Sequence, residues 1–223
     1  NLGIKIVAES FLKRGYCADY CFAPYRDFGR GIKKLGVPLY SSGLKKPLNE
    51  FDMLGFSMQF ELSYTNVLYM LDLAGIPLTR RERAGGNYPL IALGGPCTVN
   101  PEPLADFADI IFIGDGESAD ADVAQAYLKH GGATEEFFKE ITRIDGVYVP
   151  ALGNKVKRAV ITDLDGAVFP ERIAVPNCES VHDRVVIEVM RGCYRGCRFC
   201  QAGFIYRPVR RRSVKTLTRQ ACT

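Results

Sequence analysis

Residues 109–117, Asp-Ile-Ile-Phe-Ile-Gly-Asp-Gly-Glu, carry the clearest indication of the fold. The apolar run Asp109–Ile113 is typical of a strand buried on both faces of a parallel sheet. Gly114 and Gly116 mark a tight turn at the carboxyl end of that strand. A helix is predicted directly after the turn, over Glu117–Lys129. The stretch therefore predicts one βα unit of a parallel sheet.

The same pattern occurs upstream. Phe51–Met58 and Pro89–Leu93 are predicted strands, and Gly94-Gly95-Pro96 follows the second of them. Cys17–Phe22 is predicted as a further, short strand. A first helix is predicted to begin near Leu2 and to end at Gly15. Further helices are predicted over Asp27–Leu35, Tyr64–Leu73 and Glu135–Ile144. Strands alternating with helices indicate an α/β domain, flavodoxin-like or Rossmann-like, with helices on both faces of the sheet.

Three parts follow one another along the chain. Residues 1–145 form the α/β domain, and residues 146–184 form a connector with short extended pieces at Val147–Val149, Ala159–Ile161 and Arg172–Val175. Residues 185–223 open with a predicted strand, Val185–Val189, and a helix is predicted to start near Ser213.

The order of elements predicts an incomplete sheet. The chain opens in a helix, and the flavodoxin-like order 2-1-3-4-5 places the strand that would precede it inside the sheet. We therefore expect a fragment that lacks an internal strand and that is largely insoluble or molten when expressed alone.

The amino-acid composition limits the classes of protein to which the chain can belong. The 223 residues are 47% hydrophobic and 24% charged, which suits a globular chain with a sizeable core. The sequence contains no signal peptide and no apolar run of about 18 residues, so we expect a cytoplasmic protein without membrane contact. Eight cysteines are too few for a disulfide scaffold, and three of them lie within eight residues, which suits a metal site in a reducing compartment.

The C-terminal part is rich in arginine. No acidic residue interrupts the stretch from Arg191 to Arg212, and the net charge of the chain is +4. Such a stretch favours an anionic ligand or a nucleic acid. A solvated basic face is the alternative, and for the run Arg210–Arg212 the two interpretations are equal. Its arginines are Arg191, Arg195, Arg198, Arg207, Arg210, Arg211 and Arg212.

The segment Arg-Gly-Cys-Tyr-Arg-Gly-Cys-Arg-Phe-Cys-Gln-Ala-Gly, residues 191–203, carries the candidate metal ligands. Cys193, Cys197 and Cys200 can supply three thiolates to one 4Fe–4S cluster. Gly192 and Gly196 would let the backbone turn tightly around it. Three ligands leave one iron open, and an open metal position is typical of a site that binds substrate.

Other interpretations of these cysteines exist. Zinc could bind them with Cys178, His182 or Cys222 as a fourth ligand, although this spacing is unusual for zinc. Free thiols or a disulfide are further alternatives. Cys17, Cys21, Cys97 and Cys222 are interpreted as small apolar side chains or bystanders.

The CxxxCxxC spacing, with the aromatic Phe199 before the third cysteine, resembles the defining loop of the radical-SAM superfamily. The resemblance implies that S-adenosylmethionine chelates the open iron, that an electron donor such as flavodoxin or ferredoxin reduces the cluster, and that a 5′-deoxyadenosyl radical then abstracts hydrogen from a substrate. It also implies that Val185–Val189 is the first strand of a β/α barrel. A whole barrel needs about 200 residues or more, so we expect residues 1–223 to be inactive alone.

The arrangement as a whole is similar to an uncharacterised radical-SAM family with an N-terminal domain of the cobalamin-binding type. In addition to the cysteine segment, Ile205–Arg210 reads Ile-Tyr-Arg-Pro-Val-Arg, as in that family. The resemblance implies that the loops at Gly94, Gly95, Gly114, Gly116 and Glu117, together with Ser57, face cobalamin. The Asp-x-His-x-x-Gly motif that supplies an axial histidine is missing. Cobalamin binding and a domain used only for docking therefore both stay open.

Two rival functions belong to other classes. One is an RNA-modifying enzyme of the methylthiotransferase kind, which would need further cluster ligands such as Cys17, Cys21 and Cys97. The other is a non-catalytic zinc or nucleic-acid-binding module built on the cysteine loop and its arginines. The sequence does not identify a substrate.

Overall fold

The computed structural model describes residues 2–170 and 185–222. Its helices are α1 (Leu2–Leu12), α2 (Arg26–Lys34), α3 (Tyr64–Leu73), α4 (Arg80–Arg83), α5 (Gly116–His130), α6 (Glu135–Ile141), α7 (Ala202–Ile205) and α8 (Val214–Ala221). Its strands are β1 (Met53–Ser57), β2 (Leu90–Gly94), β3 (Ile110–Phe112), β4 (Val147–Tyr148), β5 (Met190–Arg191) and β6 (Arg210–Arg211). Within the described residues, no helix is long and apolar enough to cross a membrane.

A four-stranded sheet in the order β1-β2-β3-β4 forms the centre of the α/β domain. The strands β1, β2 and β3 are parallel, and β4 pairs antiparallel with β3 at the edge. β4 falls in the stretch predicted as a connector. The predicted mixed α/β architecture with a parallel sheet is confirmed.

Both faces of the sheet are buried, which explains the continuous apolar runs of its strands. On one face, Ile91 and Leu93 pack in a core with α2 and α3. On the other face, Leu90 and Ala92 pack in a core with α5 and α6. Because successive side chains of a strand point to opposite faces, a strand covered on both sides needs apolar residues at every position.

The expected gap inside the sheet is not present. β1 pairs directly with β2 over the whole of both strands, from Met53 opposite Leu90 to Ser57 opposite Gly94. β2 and β3 are also neighbours. The described strands are therefore contiguous, and the flavodoxin-like order used for the expectation is wrong for this part of the sheet.

The strand predicted at Cys17–Phe22 is also wrong, because these residues form an extended loop without a strand partner. The Asp19 carboxylate accepts hydrogen bonds from the backbone N–H groups of Tyr20 (2.7 Å) and Leu44 (2.7 Å). The Asp19 side chain thus holds the backbone against the turn near Gly43. Such hydrogen bonds to a side chain compete with the backbone hydrogen bonds between paired strands.

The C-terminal part has a two-stranded sheet of its own. β5 and β6 are antiparallel, with Met190 opposite Arg211 and Arg191 opposite Arg210. The predicted strand Val185–Val189 is wrong, because strand pairing begins only at Met190 and the side chain of Val185 is exposed. The helix predicted near Ser213 is confirmed as α8, and the Ser213 hydroxyl caps it by accepting a hydrogen bond from the Thr216 N–H. The extended piece predicted at Arg172–Val175 lies outside the described residues.

Candidate functional site

The cysteine loop, defined as residues 192–209, lies between β5 and β6. The antiparallel pairing of these strands brings the two ends of the loop together. Cys193, Cys197 and Cys200 all lie in its first half, and the Cys200 N–H donates to the Cys197 carbonyl oxygen at 3.1 Å. The spacing of four and three residues thus places three thiols on one short, closed loop.

Two glycines shape the backbone of the cysteine loop. Gly192 has a φ of 97°, and a Cβ atom there would lie 2.6 Å from the Tyr206 carbonyl oxygen. Glycine is therefore required where the two arms of the loop approach each other. Gly196, with a φ of 64°, makes a left-handed turn between the first two cysteines.

The three thiols are accessible and are not disulfide-bonded. Cys197 is exposed, Cys193 and Cys200 are half-buried, and Phe199 is 92% exposed. Among residues 2–170 and 185–222, no three His, Cys, Asp or Glu side chains are gathered closely enough to hold a metal ion. Three thiols on one loop are nevertheless the donor set that a 4Fe–4S cluster needs, so the residues present fit that group chemically.

Carboxylates of the α/β domain contact the start of the cysteine loop. Arg191, two residues before Cys193, lies 2.9 Å from carboxylate oxygens of Asp115 and of Glu117. It also lies 2.9 Å from Glu188 on its own segment. Asp115 and Glu117 are in the turn after β3 and in the first turn of α5. The loop is therefore attached to the carboxyl edge of the main sheet.

The end of the cysteine loop is attached to the same region. Arg210 donates to the Asp115 carboxylate and, at 2.8 Å, to the Ile161 carbonyl oxygen. Arg212 pairs with Glu188 at 2.9 Å and donates to the Leu164 carbonyl oxygen. Both arginine side chains are buried, at 5% and 0% exposure.

These contacts correct the interpretation of the arginine-rich stretch. Three of its arginines are bound by carboxylates of this chain, so they are not available to an anionic ligand or a nucleic acid. Those three are Arg191, Arg210 and Arg212. The exposed arginines are Arg195, Arg198, Arg207 and Arg211.

The Asp115 carboxyl is ionised despite its burial. Burial alone would raise its pKa, but the Ile161 N–H and the guanidinium groups of Arg191 and Arg210 outweigh burial and hold the pKa below its ordinary value. For Arg191, burial disfavours the charge, and its partners Glu188, Glu117 and Asp115 overcome this and raise the pKa. Both partners therefore carry full charge at neutral pH.

The glycines predicted to face cobalamin contact the protein itself. Gly95 has a φ of 113°, and a Cβ there would lie 2.6 Å from the Met58 carbonyl oxygen. Gly114, with a φ of 110°, is bridged to Ala159, and a Cβ would collide with the Ala159 backbone. Close backbone approach accounts for both glycines without a ligand. A Cβ at Gly116, by contrast, would meet no atom within 4 Å.

The remaining residues predicted to face cobalamin lie along the same edge. Ser57 ends β1 beside Gly94 and accepts a hydrogen bond from the Gln59 amide at 2.8 Å. Glu117 is occupied by Arg191. Gly94, Ser57 and Glu117 thus lie along one edge of the sheet, and cobalamin binding stays a prediction.

The histidine that the structure describes, His130, offers no axial ligand at this edge. His130 lies at the C-terminal end of α5, whereas the loop after β3 lies at the N-terminal end of that helix. There the His130 imidazole contacts Glu140 at 2.8 Å. His182 and Cys178 lie outside the described residues, so their predicted roles are not tested.

The cysteines of the α/β domain do not support a second cluster. Cys17 is exposed, whereas Cys21 and Cys97 are half-buried against the hydrophobic core. Burial, with a smaller effect of Asp19, raises the pKa of Cys21 to about 11, and burial also raises that of Cys97. Protonated thiols in apolar surroundings are poor metal ligands, which disfavours the methylthiotransferase alternative.

A cavity of about 530 Å³ opens beside the first cysteine of the loop. Its lining combines Cys193 and Tyr194 with Arg158 from the predicted connector and with Arg207 to Val209 from the far arm of the loop. Arg158 donates to the carbonyl oxygens of Ile205 and Arg207, so it holds that arm in place. The cavity is wide open to solvent and lies next to one candidate ligand.

Sequence reasoning missed the carboxylates that hold the cysteine loop. In the sequence, Asp115 stands out only as part of a glycine-rich turn, Glu117 only as a residue predicted to face cobalamin, and Glu188 only as part of the predicted strand Val185–Val189. The available signal was the arginine stretch itself, because buried arginines need carboxylate partners. Nothing local identifies those partners, since Asp115 and Arg210 are 95 positions apart.

The fold and the site together define a class: an α/β domain that holds a three-cysteine loop at the carboxyl edge of its sheet. Residues 3–150 match the family model described as radical SAM proteins, N-terminal. The chain therefore belongs to the radical-SAM protein family. It is also similar to the uncharacterized protein MJ0966 of Methanocaldococcus jannaschii, with 29% identity over 192 residues. The matched region is 83% of this chain and 38% of that relative, so the chain spans well under half of the relative's length. No solved structure matches the chain.

Proposed function

We propose that this chain carries the cluster loop of a radical-SAM enzyme, in which Cys193, Cys197 and Cys200 hold a 4Fe–4S cluster that binds S-adenosylmethionine. The observation that carries the proposal is the combination of three unpaired thiols on one closed loop with a domain of the radical-SAM N-terminal family. When bound, the cluster would supply the electron that reductively cleaves S-adenosylmethionine.

The protein's own residues would prepare the site in three ways. The thiols of Cys193, Cys197 and Cys200 bind iron as thiolates, which are the ligands of such clusters. Gly192 and Gly196 give the backbone the turns that this spacing needs. Phe199 is exposed beside Cys200, so its ring is free to cover a bound ligand from solvent.

A reductant also belongs to the proposal, and an electron carrier of the flavodoxin or ferredoxin kind would serve. The substrate is unassigned. Cobalamin is not included, because contacts within the protein account for Gly95 and Gly114 and because His130 lies at the far end of α5.

The test is anaerobic reconstitution of the full-length protein followed by metal and sulfide analysis. We expect about four irons and four acid-labile sulfides per chain, together with reductive cleavage of S-adenosylmethionine by dithionite-reduced protein. Cys197→Ala should lose the brown absorbance and the cleavage, whereas the matched control Cys222→Ala, an exposed cysteine in another part of the chain, should keep both. A single zinc without sulfide, or a full cluster in Cys197→Ala, would contradict the proposal.

A further inference from the structure

At the carboxyl edge of the main sheet, the turn after β3 is covered by this chain's own segments. In open α/β sheets this edge is the usual place for a ligand. Here Asp115, in the turn after β3, accepts a hydrogen bond from the Ile161 N–H at 2.9 Å. Ala159 bridges to Gly114 in the same turn. The predicted connector thus runs along the edge where a cofactor would otherwise lie.

Three separate segments converge on the single carboxylate of Asp115. Ile161 comes from the predicted connector, Arg191 from the strand that enters the cysteine loop, and Arg210 from the strand that leaves it. One side chain of the α/β domain therefore fixes both ends of the loop and the segment next to it.

The whole cluster is balanced in charge and shielded from water. It contains three arginines and three carboxylates, and none of these side chains is more than 14% exposed. A buried charge without its partner is strongly unfavourable, so pairs of this kind permit one arrangement of the segments that carry them. The members are Asp115, Glu117, Glu188, Arg191, Arg210 and Arg212.

We propose that Asp115 is a positioning residue that docks the cysteine loop on the α/β domain and so sets the orientation of the three thiols for cluster and S-adenosylmethionine binding. This inference rests on the proposed function for its effect on the ligand, but the docking itself does not. The carboxyl edge of the main sheet is then the surface on which the cysteine loop of the same chain docks. Asp115 would act through Arg191, which lies two residues before Cys193.

The test compares full-length wild-type protein with Asp115→Asn, which keeps the shape of the side chain and removes its charge. Asp145→Asn is the matched control, because Asp145 is on the same domain and its pair with Lys157 is exposed. Arg191→Lys is the second variant, because lysine keeps the charge but lacks the fork that reaches several carboxylates. Hydrogen–deuterium exchange is measured over residues 190–191 and 205–212, and S-adenosylmethionine is titrated into the reduced holoprotein by electron paramagnetic resonance.

The expected result has two parts. Exchange in these segments should become at least tenfold faster in Asp115→Asn, and the midpoint of the S-adenosylmethionine titration should rise by about tenfold at unchanged iron content, as outer-shell changes typically do. Arg191→Lys should fall between wild type and Asp115→Asn, and Asp145→Asn should match wild type.

The outcomes separate the two proposals. If Asp115→Asn matches wild type in exchange and in titration, the positioning role is wrong. If Asp115→Asn loses its iron, the same two measurements are made on Arg191→Lys. Faster exchange and a higher titration midpoint then support the positioning role, and wild-type values contradict it. If wild-type protein binds no cluster, the proposed function fails, whereas faster exchange in metal-free Asp115→Asn would still support the docking.

Discussion

Replacing Asp120 by asparagine should remove a pH dependence of stability that originates in a buried carboxyl group. Asp120 lies on α5 beneath α1 and is 4% exposed. One carboxylate oxygen accepts from the Ala121 N–H at 2.7 Å and from the Ser10 hydroxyl at 3.3 Å. Among the described residues, the other oxygen has no hydrogen-bond partner. Burial, with a smaller contribution from Glu117, raises the pKa of Asp120 to about 7, while Arg14 opposes the shift.

The sign and the size of this pH dependence follow from the linkage between proton binding and folding. A carboxyl group whose pKa is raised on folding holds its proton in the folded state, while the unfolded chain has already lost it above its ordinary value of 3.8. Stability therefore decreases as the pH rises from near 4 to near 7, and it is constant outside that window with respect to this group. At 1.36 kcal/mol for each pKa unit, the whole decrease amounts to about 4 kcal/mol.

The assay is urea unfolding followed by circular dichroism at a series of pH values from 4.5 to 8. The free energy of unfolding of wild type minus that of Asp120→Asn should fall by about 1.4 kcal/mol per pH unit up to pH 6.5 and then level off. Asp145→Asn, which alters an exposed pair, should retain the wild-type dependence. Parallel pH profiles for wild type and Asp120→Asn would refute the reasoning, because the carboxyl group would then titrate equally in the folded and unfolded states.

Two further predictions concern the sheet and its edges. Arg83→Met should lower the free energy of unfolding by about 3–5 kcal/mol, because Asp109, 3.2 Å away and buried, would lose its partner; an unchanged urea midpoint would contradict this. Gly114→Ala should lower the melting temperature strongly, because its φ of 110° and the Ala159 backbone leave no room for a Cβ. Gly116→Ala is the control and should melt like wild type, since open space surrounds that position; equal losses in both variants would show that the contact with Ala159 is not the cause.

The main elements of the α/β domain could be predicted because their signals are local. A strand buried on both faces needs apolar residues throughout, and the runs that contain Ile91 and Ile111 satisfy that need. Glycine after such a run or after a helix ends the element, as at Gly36 and Gly75, whose φ values are both 67°. Propensity and packing agree at these positions, so the sequence alone was sufficient.

The predictions of secondary structure and strand order were wrong where contacts with distant parts of the chain determine the local structure. Cys17–Phe22 has strand-like composition, but Asp19 bonds to the backbone near Gly43 instead. Val185–Val189 has the composition of a buried strand, yet among residues 2–170 and 185–222 no neighbouring strand covers it. The predicted strand order was wrong because the pairing of β1 with β2 is set by tertiary contacts, and the spacing of apolar residues along the sequence does not report these.

The candidate site could be predicted only in part. The spacing of Cys193, Cys197 and Cys200 predicts the ligand set, because three thiols at such short intervals are typical of a metal site. The positive charge of Arg210 was visible too, but its partner was not. A charged side chain looks the same in sequence whether it faces water, a ligand or a buried carboxylate, so its role depends on the fold.

The ion pair between Asp115 and Arg210 has a consequence for the order in which the protein assembles. Its members are 95 positions apart, and contacts of such separation form late because closing the intervening chain costs entropy. Asp115 is also made before Arg210 during synthesis, and domains fold from the N-terminus as they emerge. We therefore expect the sheet to be complete before the cysteine segment arrives, so that the finished domain acts as a template on which the later segment takes its shape.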